Sequence, residues 1–352
     1  MSINTEIARL EAAKTALAAS ITGKGVTVPD GTKLDGMPAL VDSIQQGGGE
    51  DWQITNANYL FYSGARWPQK DELLPHLGGI TSAIQMFGSI TFSSFDLSGF
   101  DFSKVQNASS MFAGVRVLKS ASGIKLPACT CVDRIFQGCT GLTSVDTAGM
   151  FGKNVSAEGV FYGCSAIKSI TLVGTFNKIS NIFYNCYGLE SVDLTGAVLS
   201  NVTDISALCY GCSKLRSIDM SGLNLSSVRG GSNVFRNCSA LTEILGFAAP
   251  QASSLGNPFP IGTASSPAAL ERLTFQQISG GYAVRTSFSI AYSSFDRAGM
   301  VEMFSSLPDI TPLDLTVSYK KITITGNPCV TDGTLTDTDK AIATDKGWTL
   351  VI

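Results

Sequence analysis

Apolar residues recur at fixed offsets in five successive segments of the chain. The segments share the pattern F-x-[GN]-C-x-x-[LI]-x-[SE]-[VI]-[DTL], and their starts are separated by 25, 22, 26 and 26 residues. They begin at Phe136, Phe161, Phe183, Cys209 and Phe235. An internal repeat of this length predicts a stack of coils, because one coil cannot bury its apolar face without neighbours.

Two apolar edges are predicted within each coil. Each coil has a pair of apolar residues three positions apart, such as Leu142 and Val145, followed by a short extended segment. In leucine-rich repeats this spacing directs the side chains of a short strand into the core. Degenerate copies that begin at Met86 and Met111 extend the repeat upstream, so we expect about seven coils in a β-rich, right-handed repeat solenoid. A second apolar position follows each glycine turn, at Val105, Val155, Ile179, Val202 and Val228.

The repeats resemble the BspA-type leucine-rich repeats of bacterial surface proteins. Residues 95–112, FDLSGFDFSKVQNASSMF, resemble the variant found in mycoplasma-type surface lipoproteins. The resemblance covers about residues 86–290 and implies a leucine-rich-repeat (BspA-like) solenoid. It implies little about the ligand, because the family spans adhesins, surface antigens and virion proteins.

The N-terminal 46 residues carry a short heptad pattern. Its apolar seam predicts a coiled-coil oligomerisation module, while a helix packed on its own chain fits a pattern of this length equally well. The seam positions are Ile3, Ile7, Leu10, Leu17 and Ile21. Residues 47–50 read GGGE and predict a flexible linker. Residues 1–46 resemble the attachment module of tailed-bacteriophage tail and fibre proteins, which implies a homotrimer that binds other phage tail or virion proteins through this module.

Two further segments are predicted to close the ends of the solenoid. Residues 51–85 are expected to form an N-terminal cap, ahead of repeats over residues 86–290. Residues 291–352 predict a small α/β C-terminal cap, with a helix that follows a serine N-cap and a last strand through Trp348. A cap is needed because the last coil would otherwise expose an unpaired edge. This ending resembles the terminus of many phage tail proteins with such repeats.

Composition and charge narrow the classes of partner. Apolar residues make up 44% of the chain and charged residues 15%, with a formal net charge of −3, so no basic field is expected to attract nucleic acid. The N-terminus contains Glu6 and Glu11 and lacks the pattern of a signal peptide, and no apolar run is long enough to span a membrane. These features predict a protein that is made in a cytoplasm and is not inserted in a membrane, which fits the location in a virion that the resemblance to phage tail proteins implies.

Cysteine and aspartate recur in the repeats. Five of the nine cysteines share one repeat position and are expected to be small, buried, free thiols. They are Cys139, Cys164, Cys186, Cys212 and Cys238. Four aspartates each end a strand before a turn glycine, and Asp193 and Asp219 could approach the ~5 to 5.5 Å carboxyl separation of a retaining glycosidase, although capping of the turn explains the aspartates better. They are Asp96, Asp146, Asp193 and Asp219.

No pattern in the chain points to catalysis or to a bound metal. Cys209 and Cys212 have the spacing of half a zinc site, but the second half is missing, and both fall on repeat positions that core packing explains. Serine nucleophile elbows, phosphate-binding loops and histidine dyads are also missing from the sequence. We therefore expect a protein that is not an enzyme, with no catalytic residues, no metal and no cofactor.

Aromatic residues supply the candidate binding site. Tyr162, Tyr184 and Tyr210 each follow the first position of a repeat, and Tyr187 lies nearby. In stacked coils they would form a stripe suited to stacking on sugar rings or to anchoring a protein partner. Stacked tyrosines also stabilise coils without any ligand, so both roles stay open.

The resemblances and the stripe together predict a structural virion protein of a tailed bacteriophage, in the tail tip, baseplate or fibre. Its solenoid would bind a host cell-surface glycan or protein. A head or neck fibre of the virion is an alternative. A BspA-like bacterial surface adhesin is another, and it would need an export signal. A third alternative is a polysaccharide depolymerase, and the four aspartates are the only feature that supports this hypothesis.

Overall fold

The computed structural model describes residues 54–64, 74–91, 97–249, 258–260, 262–276, 284, 286–313 and 320–352. Several sequence predictions lie outside these residues. They are the attachment module of residues 1–46, the linker of residues 47–50, Asp96, and the seam of Ile3, Ile7, Leu10, Leu17 and Ile21.

The described residues form short parallel strands and a few helices. The strands are β1 (Val155–Ser156), β2 (Ser169–Thr171), β3 (Gly174–Lys178), β4 (Ser191–Asp193), β5 (Ala197–Val198), β6 (Ser217–Asp219), β7 (Glu243–Phe247), β8 (Arg272–Phe275), β9 (Phe288–Ser289), β10 (Lys321–Thr323) and β11 (Thr349–Val351). The α-helices are α1 (Arg297–Ser306), α2 (Pro328–Thr331) and α3 (Asp337–Thr344), and 3-10 turns span Tyr62–Gly64 and Leu74–His76.

The strands pair in three open sheets, in the orders β2-β4-β6-β7-β8, β1-β3-β5 and β11-β10-β9. All these pairs are parallel. In the three-residue strands β2, β4 and β6 the central residue faces the core, and Ile170 pairs with Val192 while Ile218 pairs with Ile244 of β7. The serines and aspartates on either side of it face outward. The chain therefore has the β-rich repeat fold that its periodicity predicts.

A second edge of each coil carries the first phenylalanine of the repeat. These rings are buried and stack face to face on one another across coils, with centroids 5.3–5.8 Å apart. This phenylalanine column contains Phe61, Phe87, Phe112, Phe136, Phe161 and Phe183. It begins at Phe61, inside residues 51–85, so the segment expected to cap the repeats contributes a coil of the same geometry.

The backbone of this edge explains why the repeat needs glycine or asparagine. In the coil of Phe136, Arg134 and Gly138 adopt left-handed conformations, with φ of 57° and 70°. Alternation of left- and right-handed residues turns every second N–H toward the next coil. Arg134 donates to the Glu158 carbonyl at 2.8 Å and Gly138 to the Tyr162 carbonyl at 2.7 Å. The [GN] position is thus a left-handed position that glycine and asparagine tolerate best.

The C-terminal part covers the last strand of the five-stranded sheet. Helix α1 packs on β8, where the Phe275 N–H donates to Ser306 Oγ at 3.1 Å. The N-cap of α1 is Asp296, whose carboxylate accepts the Gly299 N–H at 2.8 Å, so the expected serine cap is wrong. Aspartate competes equally well for this position, and it stands directly before the first helical residue. The described residues contain no helix that is long and apolar enough to cross a membrane.

Candidate functional site

Three of the predicted tyrosines form a continuous outward column. The rings of Tyr162 and Tyr184 are stacked with centroids 4.6 Å apart, and those of Tyr184 and Tyr210 with centroids 4.5 Å apart, within 5° of parallel. Each tyrosine directly follows a position of the buried column, and its side chain is half-buried on the outer surface. The hydrogen-bonded register of the coils therefore brings these three residues together, as the repeat alignment predicted. We call them the tyrosine column.

The stacking limits what the column can bind. Both faces of the Tyr184 ring are covered by its neighbours, which leaves no open face of this ring on which a sugar could stack. Its exposed part is the ring edge and the hydroxyl group. Burial between Tyr210 and Tyr162 raises the pKa of the Tyr184 hydroxyl above its ordinary value. Tyr187 is 51% exposed and lies near enough to add to this shift in pKa.

The same position in the next coil is occupied by Arg236. The Gly211 N–H donates to the Arg236 carbonyl at 2.8 Å, just as the Asn185 N–H donates to the Tyr210 carbonyl at 2.7 Å. The Arg236 side chain is exposed, and among the described residues its guanidinium donates to Asn233 Oδ1, at 3.4 Å. Sequence reasoning missed Arg236, although the repeat alignment aligns it with the three tyrosines.

Exposed basic residues follow the tyrosine position in several coils, ahead of the strands of the five-stranded sheet, and Arg236 occupies the tyrosine position itself. The acidic residue Glu190 lies among them, and its N–H donates to the Lys168 carbonyl at 2.7 Å. In the part of the chain that the structure describes, none of these cations forms an ion pair. We call them the basic strip: Arg116, Lys119, Lys168, Lys214, Arg216 and Arg236. A net charge of −3 concealed this strip at the level of composition, because acidic residues elsewhere outweigh it.

Comparison with known protein families supports the repeat assignment. Residues 130–248 match the model of the BspA type leucine rich repeat region, in six copies. Residues 53–148 match the model described as a Mycoplasma protein of unknown function, DUF285. A search of curated proteins finds no match. Neither matching description refers to a bacteriophage tail or fibre protein.

The cysteines of the BspA-type repeats are buried and free, as predicted. Each thiol also donates to the backbone carbonyl at the start of the preceding repeat, such as Cys139 to Phe112 and Cys186 to Phe161, both at 3.0 Å. They are therefore hydrogen-bond donors as well as apolar fillers. Burial raises the pKa of Cys139 to about 12. Cys209 occupies the phenylalanine position of its coil and is buried, and the described residues contain no cluster of metal-binding side chains.

The aspartates cap turns. Asp193 and Asp219 accept the N–H groups of Thr195 and Ser221 at 2.9 and 2.8 Å, and Asp146 accepts that of Ala148 at 2.9 Å. Hydrogen bonds from Thr195 and Ser221 lower the pKa values of Asp193 and Asp219. A retaining glycosidase needs one carboxyl group whose pKa is raised so that it can donate a proton. These carboxylates thus have the environment of turn caps and not that of a general acid.

Proposed function

We propose that this chain is a non-enzymatic binding protein whose right-handed solenoid presents the tyrosine column to a receptor on a cell surface. The observation that carries the proposal is the uninterrupted stack of Tyr162, Tyr184 and Tyr210 on the outer surface. Burial of the coils does not require this outward column, because the phenylalanine column already fills the interior. Tyrosine gives a large contact area for little loss of side-chain entropy, and stacking holds its ring in one orientation.

We further propose that the chain is displayed on the virion of a tailed bacteriophage. The support is the heptad seam of residues 1–46 and its resemblance to a tail attachment module. A trimer held by this module would present three tyrosine columns, and linked sites multiply weak contacts with a repetitive ligand.

A second candidate carrier is a bacterial cell surface. The match of residues 130–248 to BspA-type repeats favours this surface adhesin. Labelling with an antibody against the chain separates the two. Label on purified phage particles supports the virion, whereas label confined to the bacterial envelope supports the adhesin.

The binding role is tested by replacing two tyrosines. Tyr184→Ser with Tyr210→Ser should abolish adsorption of the purified chain to host cells, because it removes two of the three stacked rings. Tyr59→Ser is the matched control, since Tyr59 is also exposed but lies outside the column, at a position where another coil has Ser110. Thermal melting of each variant checks the fold. Normal adsorption by a folded double variant would place the receptor site elsewhere and refute the proposal.

A further inference from the structure

We infer that the ligand of the tyrosine column is an anionic, linear, carboxylate-bearing polysaccharide that extends along the stack, with its negative groups on the basic strip. This inference rests on the proposed function, and it specifies the chemistry of the receptor. It is carried by the charge of the surface beside the column.

The six cations of the basic strip make no ion pair within the described residues. Some cations outside the strip do pair with acids, since Arg134 and Lys178 contact Glu158, and Arg272 contacts Glu243 and Glu302. Glu190 lies among the strip residues, whereas the neighbouring Glu243 is already paired with Arg272. Unpaired charges of one sign on one surface attract a ligand of the opposite sign and raise its local concentration.

The geometry favours a linear ligand. The stacked rings repeat every 4.5–4.6 Å, so the column presents one hydroxyl group and one ring edge per coil. Ring edges carry the positive part of the aromatic quadrupole, which suits oxygen acceptors and anions. Lys119 reaches over the following coil, because a Cβ added at Gly141 would lie 3.3 Å from its Nζ. The cations are thus spread along the direction of stacking.

The surface on the far side of the strip confines the ligand. The outer face of the five-stranded sheet carries the carboxylates of Asp193 and Asp219, and Asp146 precedes them in the stack. The negative charge of these carboxylates repels a polyanion from the sheet, and the lowered pKa values of Asp193 and Asp219 keep these two groups ionised. The most favourable path therefore lies between the carboxylates and the tyrosine column, over the basic strip.

The covered ring faces argue against single-stranded nucleic acid, which is the other common linear polyanion. Proteins bind such strands by stacking bases on exposed aromatic faces. Both faces of Tyr184 are occupied by neighbouring rings, so this residue offers no platform for a base. Hydroxyl groups and ring edges match the hydroxyls and carboxylates of a glycan better.

The test measures binding of the full chain to polygalacturonate, alginate, hyaluronate, neutral dextran and oligothymidylate. We expect binding to at least one of the three carboxylated glycans, none to dextran, and a marked loss at high salt. Lys168→Gln with Arg216→Gln should weaken that binding roughly tenfold. Glu190→Gln should strengthen the binding, because it removes an acidic group that lies among the cations of the strip. Lys104→Gln with Lys153→Gln is the matched control, since both lysines are exposed and lie outside the strip.

The outcomes separate the two proposals. Three outcomes would overturn the inference that the ligand is an anionic glycan. They are unchanged binding by the Lys168 and Arg216 variant, equal binding to dextran, and no binding to any of the carboxylated glycans. The receptor role of the column then still stands if Tyr184→Ser with Tyr210→Ser abolishes adsorption to cells. Tighter binding to oligothymidylate than to the glycans would identify nucleic acid as the ligand and also overturn the inference.

Discussion

Two aromatic columns run side by side through this protein, and adjacent residues of the repeat build them. Phe161 and Phe183 belong to the inner column, and Tyr162 and Tyr184 to the outer one. The inner rings are buried and 5.8 Å apart at this point, whereas the outer rings are half-buried and 4.6 Å apart. The inner column extends over six coils, and the outer one over three.

The difference shows which column the fold requires. Each coil buries its apolar edge only against its neighbours, so a missing inner ring leaves a cavity in the continuous core. The outer surface tolerates many residue types at the position of the tyrosines, since other coils have Gln137 or Arg236 there. Residues at this outer position are therefore free to serve binding.

The largest expected effect is the loss of an inner ring. Phe161→Ala should lower the free energy of unfolding by about 3–5 kcal/mol, because it removes a fully buried ring and leaves a cavity. Tyr162→Ala, one residue along, should cost only about 1–2 kcal/mol, since it loses one stacking contact and partial burial. Urea unfolding followed by circular dichroism measures both. Equal losses would mean that both columns belong to the core.

Alkaline pH should weaken the inner edge through its thiols. The folded-state pKa of Cys139 is raised to about 12, above the unfolded value of about 8.5. The stabilisation is therefore complete below pH about 8.5 and is lost as pH rises toward 12, by up to about 1.4 kcal/mol per pH unit for each buried thiol. Replacing Cys139 by alanine should reduce this slope.

Denaturant midpoints measured from pH 7 to pH 10 test the thiol effect. If the five repeat cysteines of the native chain react with a thiol reagent as fast as the partly exposed Cys131, the burial of these thiols is contradicted.

A smaller effect on stability is expected at the left-handed glycine position, which in each coil lies between the residue of the outer column and the repeat cysteine. Gly163 has φ of 73°, and a Cβ there would meet only ordinary contacts, so the conformation sets the cost. Gly163→Ala should destabilise by about 1 kcal/mol, and Gly163→Asn by less, because Asn185 occupies the equivalent position. Thermal melting ranks the two variants. A more stable alanine variant would show that the repeat selects glycine for another reason.

The smallest effect on stability is expected when one tyrosine of the outer column is replaced by phenylalanine, the residue of the inner column. Tyr184→Phe keeps the stacked ring and removes only an outward hydroxyl, so the free energy of unfolding should change by less than about 0.5 kcal/mol. Glycan binding should nevertheless weaken, because the hydroxyl row is interrupted. Binding that is unaffected by this change would mean that the ring edges, and not the hydroxyl groups, make the contacts.

Several features followed from the repeat pattern alone. Periodicity marks the positions that face inward, because every coil buries the same positions against its neighbours. The burial of the cysteines and the turn-capping role of Asp193 were predictable for this reason. The pattern also aligned Tyr162, Tyr184 and Tyr210 on one surface.

Other features depend on the tertiary structure. The hydrogen-bonded register between coils covers the faces of the tyrosine rings and sets the bond from each thiol to the preceding coil. It also decides that the inner column starts at Phe61. The basic strip likewise arises only when residues of different repeats meet on one surface, which composition averages away. The sequence by itself determined which side chains each coil buries, because burial repeats with the chain. Only the stacking of the coils decided what the outward side chains form together, because their neighbours lie 22 to 26 residues away.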